Sequence, residues 1–92
     1  MIVSFKDADT EALGAGHRVK RFEHIASVAR RKIRQLQIAS RLDDLRIPPG
    51  NRLEALRRER VGQHSIRVND KYRVCFRWTP AGAEDVEIVD YH

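Results

Sequence analysis

The stretch that decides the fold is QHSIRVNDKYRVCFRW, residues 63–78, in which apolar and polar side chains alternate on both sides of an Asn-Asp pair. Alternation on either side of a turn signal predicts a β-hairpin. A two-residue loop would mix apolar with charged residues on each face, whereas a three-residue loop at 69–71 separates them. Because a one-residue slip turns a whole strand over, we expect the three-residue loop. The expected apolar pairs are Val68 with Tyr72, Ile66 with Val74 and His64 with Phe76.

The same register gathers polar residues on the opposite face of the hairpin, away from the core. The expected pairs there are Arg67 with Arg73, Ser65 with Cys75 and Gln63 with Arg77. Like charges directly opposite each other destabilise a sheet. Guanidinium groups on a stiff sheet can also bind a phosphate through two parallel hydrogen bonds. The opposed arginines favour an anion site, and the alternative is an ordinary solvated polar face.

Length and composition indicate one soluble globular domain over residues 1–92, with a single modest core. The net charge is +5, and only four of the 18 basic residues are lysines, a bias that favours phosphate or nucleic-acid partners. The lone Cys75 excludes an internal disulfide, and no signal-like or membrane-spanning run is present. We therefore expect a cytoplasmic protein with no membrane association.

A helix that ends near Ser40 is predicted by apolar residues at helical spacing. These residues are Phe22, Ile25, Ala29, Ile33 and Leu36. Its outer side carries three candidate RNA-binding residues, namely Arg30, Arg31 and Arg34, with Lys32 at the margin. Seven basic residues but only one acid lie between Arg18 and Arg34. The pattern fits a polyanionic partner or a plain solvated face.

The remaining elements are shorter. The predicted elements before the proline pair are a strand at 2–5, a helix from about Thr10 capped by Asp7 or Asp9, and a helical turn at 41–47. The later ones are a type II turn at Pro49-Gly50, a strand at 53–56, a turn at 80–82 and a strand at 86–92. The fold class is therefore α+β, with an N-terminal strand and helices packed on one face of a mainly antiparallel sheet.

Motifs for several cofactor and metal sites are absent from the sequence. It contains no Walker A, dinucleotide fingerprint, HExxH or paired cysteines, and its four histidines lack metal-ligand spacing. We expect chemistry without metal or cofactor, with arginines stabilising charge. The candidates for acid/base work are Glu59, Asp90, Tyr91 and His92.

The last three residues combine a carboxylate, a phenol and an imidazole. Histidine exchanges a proton near neutral pH, and nearby carboxylates favour its charged form. By strand alternation Asp90 and His92 share a face, and Tyr91 points the other way. Terminal residues also commonly fray, in which case His92 would have no role. The sequence leaves open whether the Asp90 face is the arginine face.

Four blocks resemble the HigB host-inhibition toxins of the RelE superfamily. They are RLEAL at 52–56, GxxSIRVN at 62–69, YRVCFRW at 72–78 and VEIVDYH at 86–92. The resemblance implies a RelE-like fold and the toxin of a type II toxin–antitoxin module. Such a toxin enters the A site of the 70S ribosome and cuts mRNA there. Its partner is a HigA-type helix-turn-helix antitoxin, through which alone it would reach operator DNA.

The resemblance also carries functional positions onto this chain. Catalytic roles fall on Arg67, Arg73, Asp90, Tyr91 and His92, and RNA contacts on Asn69 and Arg57, to which we add Arg77 as a candidate from its place on the polar face. Two departures stand out. Arg57-Arg58 replaces a frequent Lys-Gly, and arginine is a poor proton donor. His64 replaces an aromatic residue.

The hypothesis that follows is metal-free RNA cleavage, with His92 or Asp90 as base or acid and Arg73 and Arg67 stabilising the phosphorane. Positioned acid/base groups contribute ~10²–10⁴-fold, so the ribosome would have to orient the message. One alternative is a non-catalytic RNA- or ribosome-binding module. Another is a protein-interaction domain whose basic helix binds an acidic partner.

Overall fold

The protein is represented by a computed structural model, which describes residues 1–90. The helices and strands, in chain order, are α1 Ala8–Gly14, a 3₁₀ segment Lys20–Ile25, α2 Ala26–Ile38, 3₁₀ turns Leu42–Arg46 and Pro49–Asn51, β1 Glu54–Ala55, a 3₁₀ turn Arg58–Arg60, β2 His64–Arg67, β3 Tyr72–Thr79 and β4 Gly82–Asp90. The four strands form one antiparallel sheet in the order β1-β2-β3-β4. The predicted α+β class is confirmed.

The hairpin register is also confirmed. Arg67 pairs with Arg73, and Ile66 pairs with Val74. The three-residue loop is closed by Asn69, whose side-chain oxygen accepts hydrogen bonds from the N–H groups of Lys71 and Tyr72, at 2.9 and 2.7 Å. Ile66, Val74 and Phe76 are fully buried in the core, as the alternation requires.

The helices cover one face of this sheet. Leu36 and Ala29 of α2 are fully buried against it, and Leu13 of α1 joins the same core.

The starting points of both helices differ from prediction. The α-helical part begins at Ala26, because Phe22 and Ile25 are buried from a tighter 3₁₀ turn in which residues three apart share a face. α1 begins earlier than expected, at Ala8, with Asp7 as its cap: the Asp7 carboxylate accepts from the Thr10 N–H at 3.0 Å.

The N-terminal segment is not a regular strand. It runs parallel to β4 through two isolated bridges, Ile2 with Ala83 and Phe5 with Val86. Between them Asp85 adopts a left-handed conformation (φ 53°) and its N–H donates to Ser4 Oγ at 2.9 Å. This side-chain bond interrupts the ladder, so the predicted strand at 2–5 is only partly formed.

Residues 47–52 form a loop whose conformation is set by a buried amide. Asn51 is fully buried, and its Nδ2 donates to the Gln35 side chain at 2.8 Å and to the Leu45 carbonyl at 3.0 Å. The type II turn predicted at Pro49-Gly50 is wrong. The segment is a 3₁₀ turn, and the left-handed conformation falls on Arg52 (φ 45°) instead of Gly50. Within residues 1–90, no helix is long and apolar enough to cross a membrane.

Candidate functional site

Arg73 is the centre of the sheet face that lies opposite the helices. Its Nε donates to Ser65 Oγ at 2.6 Å, and its Nη2 donates to the Arg52 carbonyl at 2.6 Å. The Glu54 carboxylate lies 3.9 Å from Nε, and the Arg73 side chain is 12% exposed. Because these acceptors fix the guanidinium plane, Arg73 presents a pre-oriented cation, and its Nη1 makes no hydrogen bond to any residue in 1–90.

Arg67 lies directly across the ladder from Arg73 but bonds in the other direction. Its Nη2 donates to the Asp70 carboxylate in the hairpin loop, whereas Arg73 reaches back toward β1. The divergence of the two guanidinium groups relieves the like-charge repulsion that the register imposes. The predicted opposition is confirmed, and the two groups are held by separate partners.

The row beside these arginines is buried, not solvated as a polar face would be. Ser65 and Cys75 have no exposed surface, and β1 pairs with β2 beside Ser65. Burial raises the pKa of the Cys75 thiol to about 11, with the carboxylates of Glu87 and Glu54 adding to the effect of burial. Cys75 is therefore a thiol at neutral pH, packed as a small residue.

A concave surface lies next to Arg73, lined by residues 54–60 and enclosing about 660 Å³. Arg57 and Arg58 are exposed on it, and Arg58 is in a left-handed conformation (φ 57°). Arg60 is anchored instead, since its Nη1 donates to Gln63 at 3.1 Å and to Glu87 at 3.3 Å. The surface thus carries the exposed cations of Arg57 and Arg58, and it adjoins Arg73 at Glu54, which also lines it.

Asp90 lies on the opposite face of the sheet from Arg73. It pairs with Tyr72, whose side chain packs on the helical side, while Arg73 pairs with Val89. Its carboxylate is 3.6 Å from Lys71 Nζ, and the Tyr72 ring has the His24 ring at 5.7 Å. Strand alternation left open whether Asp90 shares a face with the arginines, and the register shows that it lies on the face opposite Arg73. Tyr91 and His92 lie outside the described residues, so their predicted roles stay predictions.

Two further candidates serve the local structure of the hairpin. Asn69 uses its side-chain oxygen to close the loop. Arg77 pairs with Glu84 across the sheet, and its Nε lies 4.0 Å from the Asp85 carboxylate. The Arg77 side chain is 43% exposed, so it can still meet a ligand.

The three arginines of α2 do not act as one set. Arg30 turns toward α1, where its Nε donates to the Leu13 carbonyl at 3.0 Å and its Nη2 to the His17 carbonyl at 2.8 Å. Arg31 and Arg34 are exposed. Since α2 packs on the core face, these two cations are on the other side of the sheet from Arg73.

Three contributors to the site escaped the sequence analysis. Ser65 and the Arg52 carbonyl orient Arg73, and a buried Lys32 holds the Arg52 segment in place by donating to Asn51 Oδ1 at 2.5 Å. Burial, with the charges of Arg31 and Arg67, lowers the pKa of Lys32. The expectation that Lys32 lies at a helix margin is wrong. A lone asparagine after Pro-Pro-Gly was the available signal, and it is a weak one.

Comparison with known proteins agrees with this architecture. Residues 5–92 match the family described as RelE-like toxin of type II toxin–antitoxin system HigB. Toxin HigB-1 of Vibrio cholerae serotype O1 is 52% identical over 48 residues, which are 52% of this chain and 50% of that protein, so the match spans about half the length of the curated relative. Because the family match covers nearly all of the sequence, the chain belongs to the HigB-like, RelE-like toxins of type II toxin–antitoxin systems.

Proposed function

We propose that this protein is a ribosome-dependent endoribonuclease that cuts translated mRNA in the A site. The observation that carries the proposal is Arg73, whose guanidinium group is fixed by Ser65 and the Arg52 carbonyl and makes no hydrogen bond through Nη1 within residues 1–90. A pre-oriented cation stabilises charge that develops on a phosphoryl group and needs no reorganisation during the reaction. The exposed Arg57 and Arg58 beside it would hold neighbouring phosphates.

The proposed reaction is an internal transfer at phosphorus. The ribose 2′-oxygen attacks the adjacent phosphorus while a base takes its proton, and the bond to the 5′-oxygen breaks as an acid protonates that oxygen. The products are a cyclic phosphate and a free 5′-hydroxyl. We assign the proton transfers to His92 and Tyr91, and charge stabilisation to Arg73 and Arg67. Asp90, which lies on the opposite face of the sheet from Arg73, takes no part in this scheme. No metal or cofactor enters this scheme.

The ribosome would supply what this sparse site lacks. Holding a message in a reactive geometry is worth up to ~7–11 kcal/mol, which exceeds what the few protein groups can contribute. Naked RNA should therefore be cut poorly. We further propose a cytoplasmic protein held in check by a HigA-type helix-turn-helix antitoxin, through which it reaches operator DNA.

A second candidate is a ribosome-binding module that blocks translation without cutting. Two observations favour it: the Arg73 side chain is mostly buried by protein acceptors, and Asp90 lies on the other face of the sheet. Both candidates require the exposed arginines at 57 and 58. They differ only in whether the message is broken.

Programmed ribosomes with a defined message separate the two candidates. We expect the purified protein to cut at the A-site codon, and Arg73→Ala or deletion of His92 to lower the cutting rate by ~10²-fold or more while ribosome binding persists. Arg46→Ala is the matched control, since Arg46 is exposed and pairs with the exposed Asp43. Ribosome binding with an intact message would establish the second candidate, and cutting that survives both changes would rule out the proposed site.

A further inference from the structure

An open groove lies on the helical side of the molecule, between α1, α2 and the N-terminal segment. It encloses about 780 Å³, and its apolar lining includes Phe5, Ile33 and Ile38. Ile38 is 72% exposed, and Met1 and Val3 of the adjoining segment are 60% and 46% exposed. Met1 and Ile38 also line one adjoining depression, and exposed apolar side chains grouped in this way on a small protein mark an interaction site.

The edge of this groove is positively charged. Arg31 and Arg34 line it, and neither makes an ion pair or hydrogen bond to any residue in 1–90. Arg30 also lines it but is anchored to carbonyls of the α1 end. Glu11, on the α1 side, is the carboxylate in the lining. Arg31 and Arg34 are thus cations without a partner in the described part of the chain, placed beside exposed apolar side chains.

We propose that this groove binds an acidic, apolar-bearing segment of the antitoxin. The inference rests on the toxin role proposed above and adds the surface and the chemistry of the partner segment. Carboxylates of the segment pair with Arg31 and Arg34, and its apolar side chains cover Ile38 and Phe5. Arg73 is on the other side of the sheet, so the groove is separate from the proposed cutting site.

The apolar lining favours a protein over RNA as the occupant. A backbone of phosphates gains from the arginines but buries no surface on Ile38 or Phe5. A protein segment with both kinds of side chain satisfies both features at once, which is the usual composition of a protein interface with an apolar centre and a polar rim. RNA binding is therefore an outcome that the experiment must be able to detect.

The test is calorimetric titration of the full-length toxin with the cognate antitoxin at about physiological salt. We expect Arg31→Glu/Arg34→Glu to weaken binding on the order of 10²-fold, because each carboxylate of the partner then faces a like charge. Ile38→Asn should weaken it by ~10-fold through lost apolar contact. The charge-matched control, Lys20→Glu/Arg46→Glu, changes exposed cations elsewhere and should bind within ~3-fold of the wild type.

Cutting of programmed ribosomes, measured on the same variants without antitoxin, keeps the two proposals apart. Lost antitoxin affinity supports the groove whether or not the wild-type toxin cuts mRNA. Unchanged antitoxin affinity in the Arg31/Arg34 variant overturns the proposal. If that variant also loses ribosome binding, the surface is assigned to RNA. If the double reversal does not fold, Arg31→Gln/Arg34→Gln carries the same test, with an expected loss of ~10-fold.

Discussion

Arg73 receives its orientation from two separate segments, Ser65 within β2 and the Arg52 carbonyl ahead of β1. Ser65 accepts from Nε, and Arg52 accepts from one N–H of Nη2. The contribution of the positive charge of Arg73 can therefore be measured apart from that of its hydrogen-bond geometry. A lysine keeps the charge but cannot bond two acceptors with a planar group.

Arg73→Lys should therefore cut nearly as poorly as Arg73→Ala. We expect a loss of ~10²–10³-fold in the single-turnover rate on programmed ribosomes for both variants, because a lysine ammonium is not held at the reacting phosphate. Ser65→Ala, which removes one of the two acceptors, should lie between these variants and the wild type. Recovery of most of the rate by the lysine would mean that charge alone is sufficient.

Cys75 gives a pH-dependent stability of known sign. Its pKa in the folded protein is about 11, above the ordinary 9.0, so the folded state holds the thiol proton more tightly than the unfolded chain. The stabilisation from this group is complete below about pH 9 and is lost as the pH rises through 11. Urea unfolding across this range should show the loss, and Cys75→Ala should lack that component.

The burial of Cys75 can be tested by labelling. Iodoacetamide should label native Cys75 slowly at pH 8 and label the unfolded chain fully; rapid native labelling would contradict the burial.

Among the elements, the β3–β4 hairpin binds the N-terminal segment along one side. Gly82 opens β4 at φ 131°, and a Cβ there would lie 2.2 Å from the Met1 carbonyl oxygen. That oxygen accepts from the Ala83 N–H at 2.8 Å. The position therefore needs glycine both for its backbone conformation and for the close approach of another segment.

Gly82→Ala should lower the free energy of unfolding by at least ~2 kcal/mol, from backbone strain and from displacement of the N-terminal segment. Gly50→Ala is the matched control, because nothing lies within 4 Å of a Cβ at Gly50 and its φ is not positive. It should change stability by less than ~1 kcal/mol in the same urea titration. Equal effects of the two substitutions would refute the packing of the N-terminal segment on β4.

For the molecule as a whole, the exposed arginines to which we assign binding roles lie on two surfaces separated by the sheet and its helices. One contains Arg57 and Arg58 beside Arg73, and the other contains Arg31 and Arg34. Because binding to a polyanion releases counterions, each surface should contribute separately to the salt dependence of any complex it forms.

Arg57→Gln/Arg58→Gln should flatten the salt dependence of ribosome binding. Each lost phosphate contact lowers the slope of log K against log salt by ~0.7–0.9, so the double variant should lose ~1.5 from its slope. Lys20→Gln/Arg46→Gln, with the same change of net charge, should leave the slope near that of the wild type. Filter binding at several salt concentrations measures both, and equal slopes would remove Arg57 and Arg58 from the interface.

The register of β2 and β3 was predictable because three apolar pairs allow only one alignment, and the opposition of Arg67 and Arg73 follows from it. The partners of Arg73 were not predictable, since the Arg52 carbonyl depends on a left-handed residue and on the path of a loop. The inward turn of Arg30 depends on carbonyls at and after the end of α1, which no periodicity reveals. Local alternation therefore determined the sheet, and tertiary contacts determined the site.

The interior amide network around Asn51 has a genetic consequence. Lys32 and Gln35 bond Asn51, and the next residue supplies the carbonyl that receives Arg73. In a randomised library expressed in a host without the antitoxin, surviving clones should carry inactivating changes at these hidden polar positions as well as at the surface arginines. Resistance would then arise from positions of α2 that bond the interior of the protein.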